Sequence, residues 1–421
     1  MLIALGVVAA GAAVQLAPLP PGLRETISPS STALLDAVDL RFAAERLQPD
    51  APPLLHPLTI STPATATALG LLLAFSLLLW GLTGRLSRAG VESLARSLVG
   101  LGLLVAVIGI VQKAVLGDHA FGGMRIYGFW EPTYKVTTPF GPFVNKNHFA
   151  GWMLMAIPLA LGYVFGVAEV GMRHVRHGWR NRLLWLSSPH GGRLQLVCFV
   201  TLVMTVALLM TKSRSGIGCF VVAMALAAVP AIRQQREWKG RLVVVGALAA
   251  LAVVALSWSR VDVVARFSSA GPNDASLALR RAAWHDTLAI SRDFPLVGTG
   301  LNTFGLAMTK YQTALTDMRF KEAHNDYLQI LAEGGLLLGV PALAAMGLFG
   351  RGVWKRFRER RDDRLSYWIR FGATTGVVAI ALQSLVEFSL QMPGNAVFFV
   401  VLCAMALHRA PVHSDGPTRA R

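Results

Sequence analysis

Five short stretches carry the residue types that acid–base or anion chemistry needs. The first is Lys212-Ser213-Arg214-Ser215-Gly216, a tight turn between two apolar runs. It sets two cations at a membrane face, where they either snorkel into lipid headgroups or hold a phosphate against a helix start. The second is Arg280-Arg281-Ala282-Ala283-Trp284, within an amphipathic stretch. Adjacent helical arginines point to different faces, so at most one aims at a given ligand while the other is solvated. Trp284 suits an interface anchor. The third is Glu322-Ala323-His324-Asn325-Asp326-Tyr327-Leu328. His324 is either a helix cap or a base, and Glu322, Asn325 and Asp326 are groups able to set its tautomer and proton affinity. The fourth is Phe143-Val144-Asn145-Lys146-Asn147-His148-Phe149. Here Asn145 or Asn147 caps a helix, or Asn145 and His148 contact a ligand. The fifth is Gln383, Glu387 and Gln391, whose four-residue spacing predicts one helix face. A carboxylate within the membrane is costly and points to function or to a buried partner.

Other chemistry has no matching residues. The sequence contains no P-loop, no dinucleotide glycine motif, no HExxH and no Asp-x-Asp pair, and Asp362-Asp363 lies in a basic loop. Nucleotide hydrolysis and a carboxylate-held metal are therefore unsupported, and no cofactor is expected.

The elements that must position these stretches are membrane helices. Hydrophobic residues make up 54% of the chain and charged residues 15%, against about 25% charged in a soluble domain. The apolar residues fall in blocks: 64–82, 98–116, 148–170, 194–210, 217–232, 242–258, 328–349, 369–390 and 396–407. In lipid such blocks must be helical, because the backbone has no water to bond. Residues 2–16 are apolar without a basic leader, which favours a first span over a signal peptide. The total is about ten spans. Short loops rich in arginine stay in the cytoplasm. Those at 173–193, 233–241 and 351–364 therefore place both termini inside, with 21–61, 117–147, 211–215, 259–327 and 391–395 outside. The net charge of +17 is read as this orientation signal, with no nucleic-acid partner. Cys198, Cys219 and Cys403 lie in apolar runs and are expected to be lone buried thiols. Segment 259–327 carries helices of its own: one capped by Asn273, Asp274 or Ser276 and ending before Pro295, then a Gly298/Gly300 turn, then a helix over 302–313. Gly334, Gly335, Gly339 and Pro341 predict a distorted span after His324. The expected organisation is an N-terminal membrane region 1–139, a main membrane domain 140–408 that includes the 259–327 loop, and a tail 409–421.

Several of these stretches together resemble the O-antigen ligase and polymerase superfamily of bacterial envelope glycosyltransferases. The resemblance rests on "TKSRSGIG", "RRAAWHDTLAISRDFPLVGTGLNTF", "EAHNDYLQILAEGGLLLG" and "LVEFSLQMPGNAVFF", with "FVNKNHFAG" similar to one branch. It runs from about Phe140 to the C-terminus. It implies an all-α, GT-C-like inner-membrane enzyme that works without metal at the periplasmic face. Its donor would be a glycan on undecaprenyl pyrophosphate and its surroundings membrane lipid. By position, Arg214 and Arg280 match the family's pyrophosphate-facing arginines and His324 its essential histidine. Lys212, Arg281, Asn145, His148, Asn325, Asp326 and Glu387 are the further candidate substrate-binding residues. Branches of the family ligate glycan to lipid A core, polymerise repeat units or glycosylate protein, so the motifs do not choose the acceptor. A solute transporter is the competing class, and the lack of a two-halves repeat weighs against it. A lipid-binding scaffold would not need His324.

Overall fold

In the computed structural model, the described residues are 1–48, 55–116, 138–173, 175, 176, 178–234, 246, 275–314, 316, 319–359 and 363–408. Among them, seven helices are long and apolar enough to cross a membrane. Helices α1 (Leu2–Gln15), α2 (Pro21–Ile27), α3 (Ser31–Val38) and α4 (Leu40–Arg46) come first in the chain. The spans α5 (Thr62–Arg85), α6 (Arg88–Leu116) and α7 (Lys146–Met172) follow, then the short α8 (Trp179–Leu186) and the spans α9 (Pro189–Met210) and α10 (Arg214–Gln234). After these come α11 (Ala275–Asp293), α12 (Phe304–Tyr311), the spans α13 (Asp326–Arg358) and α14 (Arg364–Gln383), and α15 (Pro393–Leu407). Among the described residues, strand is confined to the two-residue pair Pro18–Leu19 with His56–Pro57. The protein is an all-α polytopic membrane protein. Two further apolar helices, α1 and α15, are shorter than a full crossing. The expected span at 242–258, apart from residue 246, the caps Asn273 and Asp274, and the tail 409–421 lie outside the described residues.

Two expectations need correction. The run 369–390 is not one helix: α14 stops at Gln383, and Ser389–Gln391 is a separate 3-10 turn. The cause is a long-range bond. The Ser384 carbonyl accepts the Asp326 N–H at 2.9 Å, which draws the chain out of the helical ladder. Gln383, Glu387 and Gln391 therefore do not share a helix face. The three cysteines are free thiols as expected, but only Cys403 is buried; Cys198 is exposed on α9.

The described residues divide into two compact units. One comprises Met1–Leu78, Ser259–Arg351 and Ile380–Val397; the other comprises Leu79–Trp258, Gly352–Ala379 and Phe398–Arg421.

The core of the first unit is built by Leu34, Leu35, Phe42, Ile60, Ile290, Phe294, Phe304 and Ala323. The small helices α3 and α4 thus pack with α11 and α12. A break in α13 then locks the loop before α12 in place. Gly335 has φ 53° and ψ −151°, outside the helical region, so the bonds from Ala332 to Leu336 and from Glu333 to Leu337 cannot form. All four freed groups are paired by the loop after α11. The Leu336 and Leu337 N–H groups donate to the Pro295 and Leu296 carbonyls, each at 2.9 Å. The Ala332 and Glu333 carbonyls accept from Thr299 at 3.1 Å and Gly300 at 2.9 Å. This satisfies the rule that buried backbone groups must be paired. It also requires glycine, since a Cβ at Gly335 would lie 2.7 Å from the Pro295 carbonyl oxygen and one at Gly298 would collide with the Glu333 backbone. The Glu333 carboxylate caps α12 by accepting the Asn302 N–H at 2.8 Å and the Phe304 N–H at 3.0 Å. Gln15 of α1 donates to the Val297 and Glu333 carbonyls at 2.7 and 2.8 Å.

In the second unit, α6, α7, α9 and α10 form a contacting group. Helix α7 meets α14 backbone to backbone at Gly162 and Gly372, where a Cβ on Gly372 would collide with the Pro158 carbonyl. Small residues permit this approach. Polar groups pair inside the unit: Arg193 bridges Glu92 and Tyr163, and the Trp368 indole donates to Glu169 at 2.5 Å.

Candidate active site

The polar cluster of the first unit is assembled from three separate segments. Helix α11 contributes Arg280, the turn before α13 contributes His324, and the break after α14 contributes Glu387. The Glu387 side chain is completely buried. One of its oxygens is ion-paired with Arg280 Nη2, and the other lies 3.3 Å from His324 Nδ1. Arg280 and His324 keep 22% and 29% of their side-chain surface exposed. The two groups that an incoming substrate can touch thus share one carboxylate that it cannot reach. Among the two adjacent arginines, the fold turns Arg280 to this carboxylate and puts Arg281 on an exposed face.

His324 is held firmly. Its φ is 52°, a left-handed conformation that costs a residue with a Cβ about 1–2 kcal/mol and that clusters at functional sites. The flanking bonds impose it. The Ala323 N–H donates to Gln329 Oε1 at 3.0 Å. Asn325 Oδ1 accepts the Tyr327 and Leu328 N–H groups, each at 3.1 Å, and so caps α13. Phe388 packs edge-on against the imidazole, with ring centroids 4.8 Å apart. Asp326 is buried beside them, with Oδ1 accepting from Gln391 Nε2 at 3.0 Å. Burial pushes the Glu322 carboxyl above its ordinary pKa, against the lowering pull of His324 and Lys321.

The chemistry available follows from the shared carboxylate. With Nδ1–H donated to Glu387, the imidazole presents a bare Nε2, the form that accepts a proton. Arg280 presents a guanidinium suited to carboxylate or phosphate oxygens. Among the described residues, no three His, Cys, Asp or Glu side chains converge as a metal site.

The other candidates lie in the second unit, around the α9–α10 turn. Lys212 takes φ 52°. Ser213 caps α10, with Oγ accepting the Gly216 N–H at 3.2 Å and donating to Asn147 Oδ1 at 2.7 Å. Arg214 is the first residue of α10 and partly exposed. Asn145 caps α7 through the Asn147 N–H at 2.9 Å, and His148 is buried in the first turn of that helix. The structure therefore gathers Arg280, His324, Asn325, Asp326 and Glu387 in one unit, and Lys212, Arg214, Asn145 and His148 in the other.

Residues 199–343 match the family model for O-antigen ligases. That segment contains Arg214, Arg280 and His324, and the match supports the O-antigen ligase superfamily and its glycosyltransferase type. Asn145, His148 and Glu387 fall outside it. No curated protein matches the chain. Sequence reasoning passed over Gln329 and Phe388, which brace the turn around His324, and Glu333, which caps α12 and accepts from Gln329. For Glu333 the signal was present: a carboxylate within an apolar run calls for a partner.

Proposed function

We propose that this protein is an inner-membrane glycosyltransferase that moves a glycan from undecaprenyl diphosphate to an acceptor hydroxyl at the periplasmic face. The reaction is O-antigen ligation to lipid A core, without metal, in a chain with both termini in the cytoplasm. The observation that carries the reading is the buried Glu387 carboxylate joined to Arg280 on one oxygen and to His324 on the other. The acceptor oxygen attacks the anomeric carbon as the bond from that carbon to the diphosphate breaks, and the bonding electrons leave with the diphosphate. The hydroxyl proton passes to His324 Nε2. Arg280 meets the charge growing on the leaving group through charge-assisted hydrogen bonds. For Arg214 the same role rests on sequence resemblance alone. Lys212, Arg281, Asn145, His148, Asn325 and Asp326 are assigned to substrate contacts.

The test is donor binding and single-turnover transfer with a purified lipid-linked glycan. Arg214→Ala and Arg280→Ala each weaken binding and transfer about tenfold or more, the scale of a charge-assisted hydrogen bond. His324→Ala lowers transfer by about a hundredfold with donor affinity close to wild type. Loss of donor binding in His324→Ala to the same extent as in the arginine variants overturns the base assignment. Repeat-unit polymerisation and transfer to protein use the same chemistry on other acceptors, and the envelope glycans of a deletion strain separate the three.

A further inference from the structure

Trp284 lies one turn after Arg280 on α11. At about 100° per residue, the two side chains are about 40° apart around the helix axis, whereas Arg281 is about 100° from Arg280. The core-facing stripe of α11 runs through the buried Ala283, Asp286, Thr287 and Ile290, and Arg280 and Trp284 border it on the same side. The indole Nε1 of Trp284 is buried and has no hydrogen-bond partner. Its polar neighbours on the helix are committed. Thr287 Oγ1 donates to the Ala283 carbonyl at 2.5 Å. Asp286 accepts from the Thr313 N–H at 3.0 Å and its hydroxyl at 2.8 Å. Arg280 is paired with Glu387. An indole N–H can only donate, and a buried tryptophan normally finds an acceptor. Among the described residues no acceptor reaches it, and an acceptor carried by a ligand on the Arg280 side of the helix would complete it.

We propose that Trp284 is a binding residue whose indole N–H donates to a diphosphate oxygen of the lipid-linked donor engaged by Arg280. This rests on the function proposed above. One helical turn is about 5.4 Å, which suits two donors on adjacent oxygens of one diphosphate. The assignment also explains a partly buried tryptophan whose single polar atom is buried and unsatisfied. That arrangement costs free energy in the empty protein and is recovered when the anion binds.

The test uses the full chain in detergent with two probes, undecaprenyl diphosphate without glycan and the complete glycan donor. Trp284→Phe keeps a ring and deletes the N–H. Its affinity for both probes falls about tenfold or more, as for the loss of a hydrogen bond to a charged group, with the effect on donor KM larger than on kcat. Its thermal unfolding without ligand is at or above that of wild type, because the orphaned N–H is gone. A second reading does not depend on that baseline: the stabilisation gained on adding undecaprenyl diphosphate is smaller in Trp284→Phe than in wild type. Wild-type affinity for the glycan-free lipid in Trp284→Phe overturns the assignment, as does weakening confined to the glycan donor, which puts the indole on the sugar. Arg280→Ala runs in parallel. If it too binds undecaprenyl diphosphate normally, the diphosphate site itself is wrong; normal binding in Trp284→Phe alone removes only the indole.

Discussion

Glu387→Gln separates the two jobs of the shared carboxylate. A glutamine has one oxygen and one amide nitrogen where glutamate has two oxygens. Arg280 Nη2 and His324 Nδ1 face opposite sides of that group. If the glutamine oxygen turns to Arg280, its NH2 meets His324. The imidazole then accepts through Nδ1 and carries its proton on Nε2, so the outward nitrogen is no longer a base. If the amide flips, the NH2 meets the guanidinium. No orientation serves both. Transfer is expected to fall by about a hundredfold, the usual scale for loss of a general base. The stability cost is smaller than the 3–5 kcal/mol of a fully buried broken pair, since Arg280 at 22% exposure recovers hydration; about 1–3 kcal/mol is expected. Donor affinity should stay at or above wild type, because the guanidinium is freed for phosphate. Glu387→Asp keeps both oxygens and should transfer better than Glu387→Gln. The assay is single-turnover transfer beside separate donor binding. Transfer by Glu387→Gln within about threefold of wild type, well short of a lost base, refutes the tautomer argument, and a defect confined to donor binding refutes the division of labour.

Other outcomes follow from the same structure. His324→Gly should be more stable than His324→Ala by about 1 kcal/mol, the left-handed penalty of a Cβ, while both transfer about a hundredfold more slowly than wild type; equal unfolding temperatures would mean that the positive φ is not held. Gly372→Ala should destabilise by about 1–3 kcal/mol through overpacking against α7, whereas Gly218→Ala, with open space at its Cβ, should not; thermal unfolding in detergent distinguishes them, and equal effects would contradict the close crossing. Glu322 has a raised pKa in the folded protein, so its contribution is fully present below the ordinary carboxylate pKa and lost as pH rises through the raised value. Glu322→Gln should therefore be more stable than wild type at neutral pH, with the gap closing as pH falls below the carboxylate range; a pH-independent gap excludes the burial effect. In a background without native cysteines, a thiol placed at Arg180 or Arg356 should resist an impermeant reagent in intact cells and one at Ser269 should react, and labelling at position 180 from outside would reverse the orientation.

The spans were legible because lipid leaves a long apolar run one backbone option, the helix. Their observed ends reach past the apolar blocks into polar residues such as Arg88, Lys146 and Arg364, which hydropathy undercounts. Gly335 was legible as a source of distortion, and Gly298 and Gly300 as a turn, because glycine is the residue that takes positive φ without penalty. The failed expectation concerns 383–391. A four-residue spacing means one face only while the helix continues, and α14 is ended by an N–H from Asp326. No local pattern around Ser384 announces that bond.

The sequence by itself determined the class of protein, the position of most crossings and the short list of residues fit for phosphate and proton chemistry, because these depend on composition, run length and side-chain type. Residue type and spacing did not decide between Arg280 and Arg281, which only the family resemblance separated, and they offered Glu322, Asn325 and Asp326 to set the His324 tautomer where the structure pairs its Nδ1 with Glu387. Those choices depend on contacts between residues far apart in the chain. Glu387 lies 107 residues from Arg280, and Gln15 reaches across 318 residues to brace the kink at Glu333. Only the tertiary structure buries one carboxylate between a guanidinium and an imidazole, because only packing removes the water that would otherwise have satisfied each of them separately.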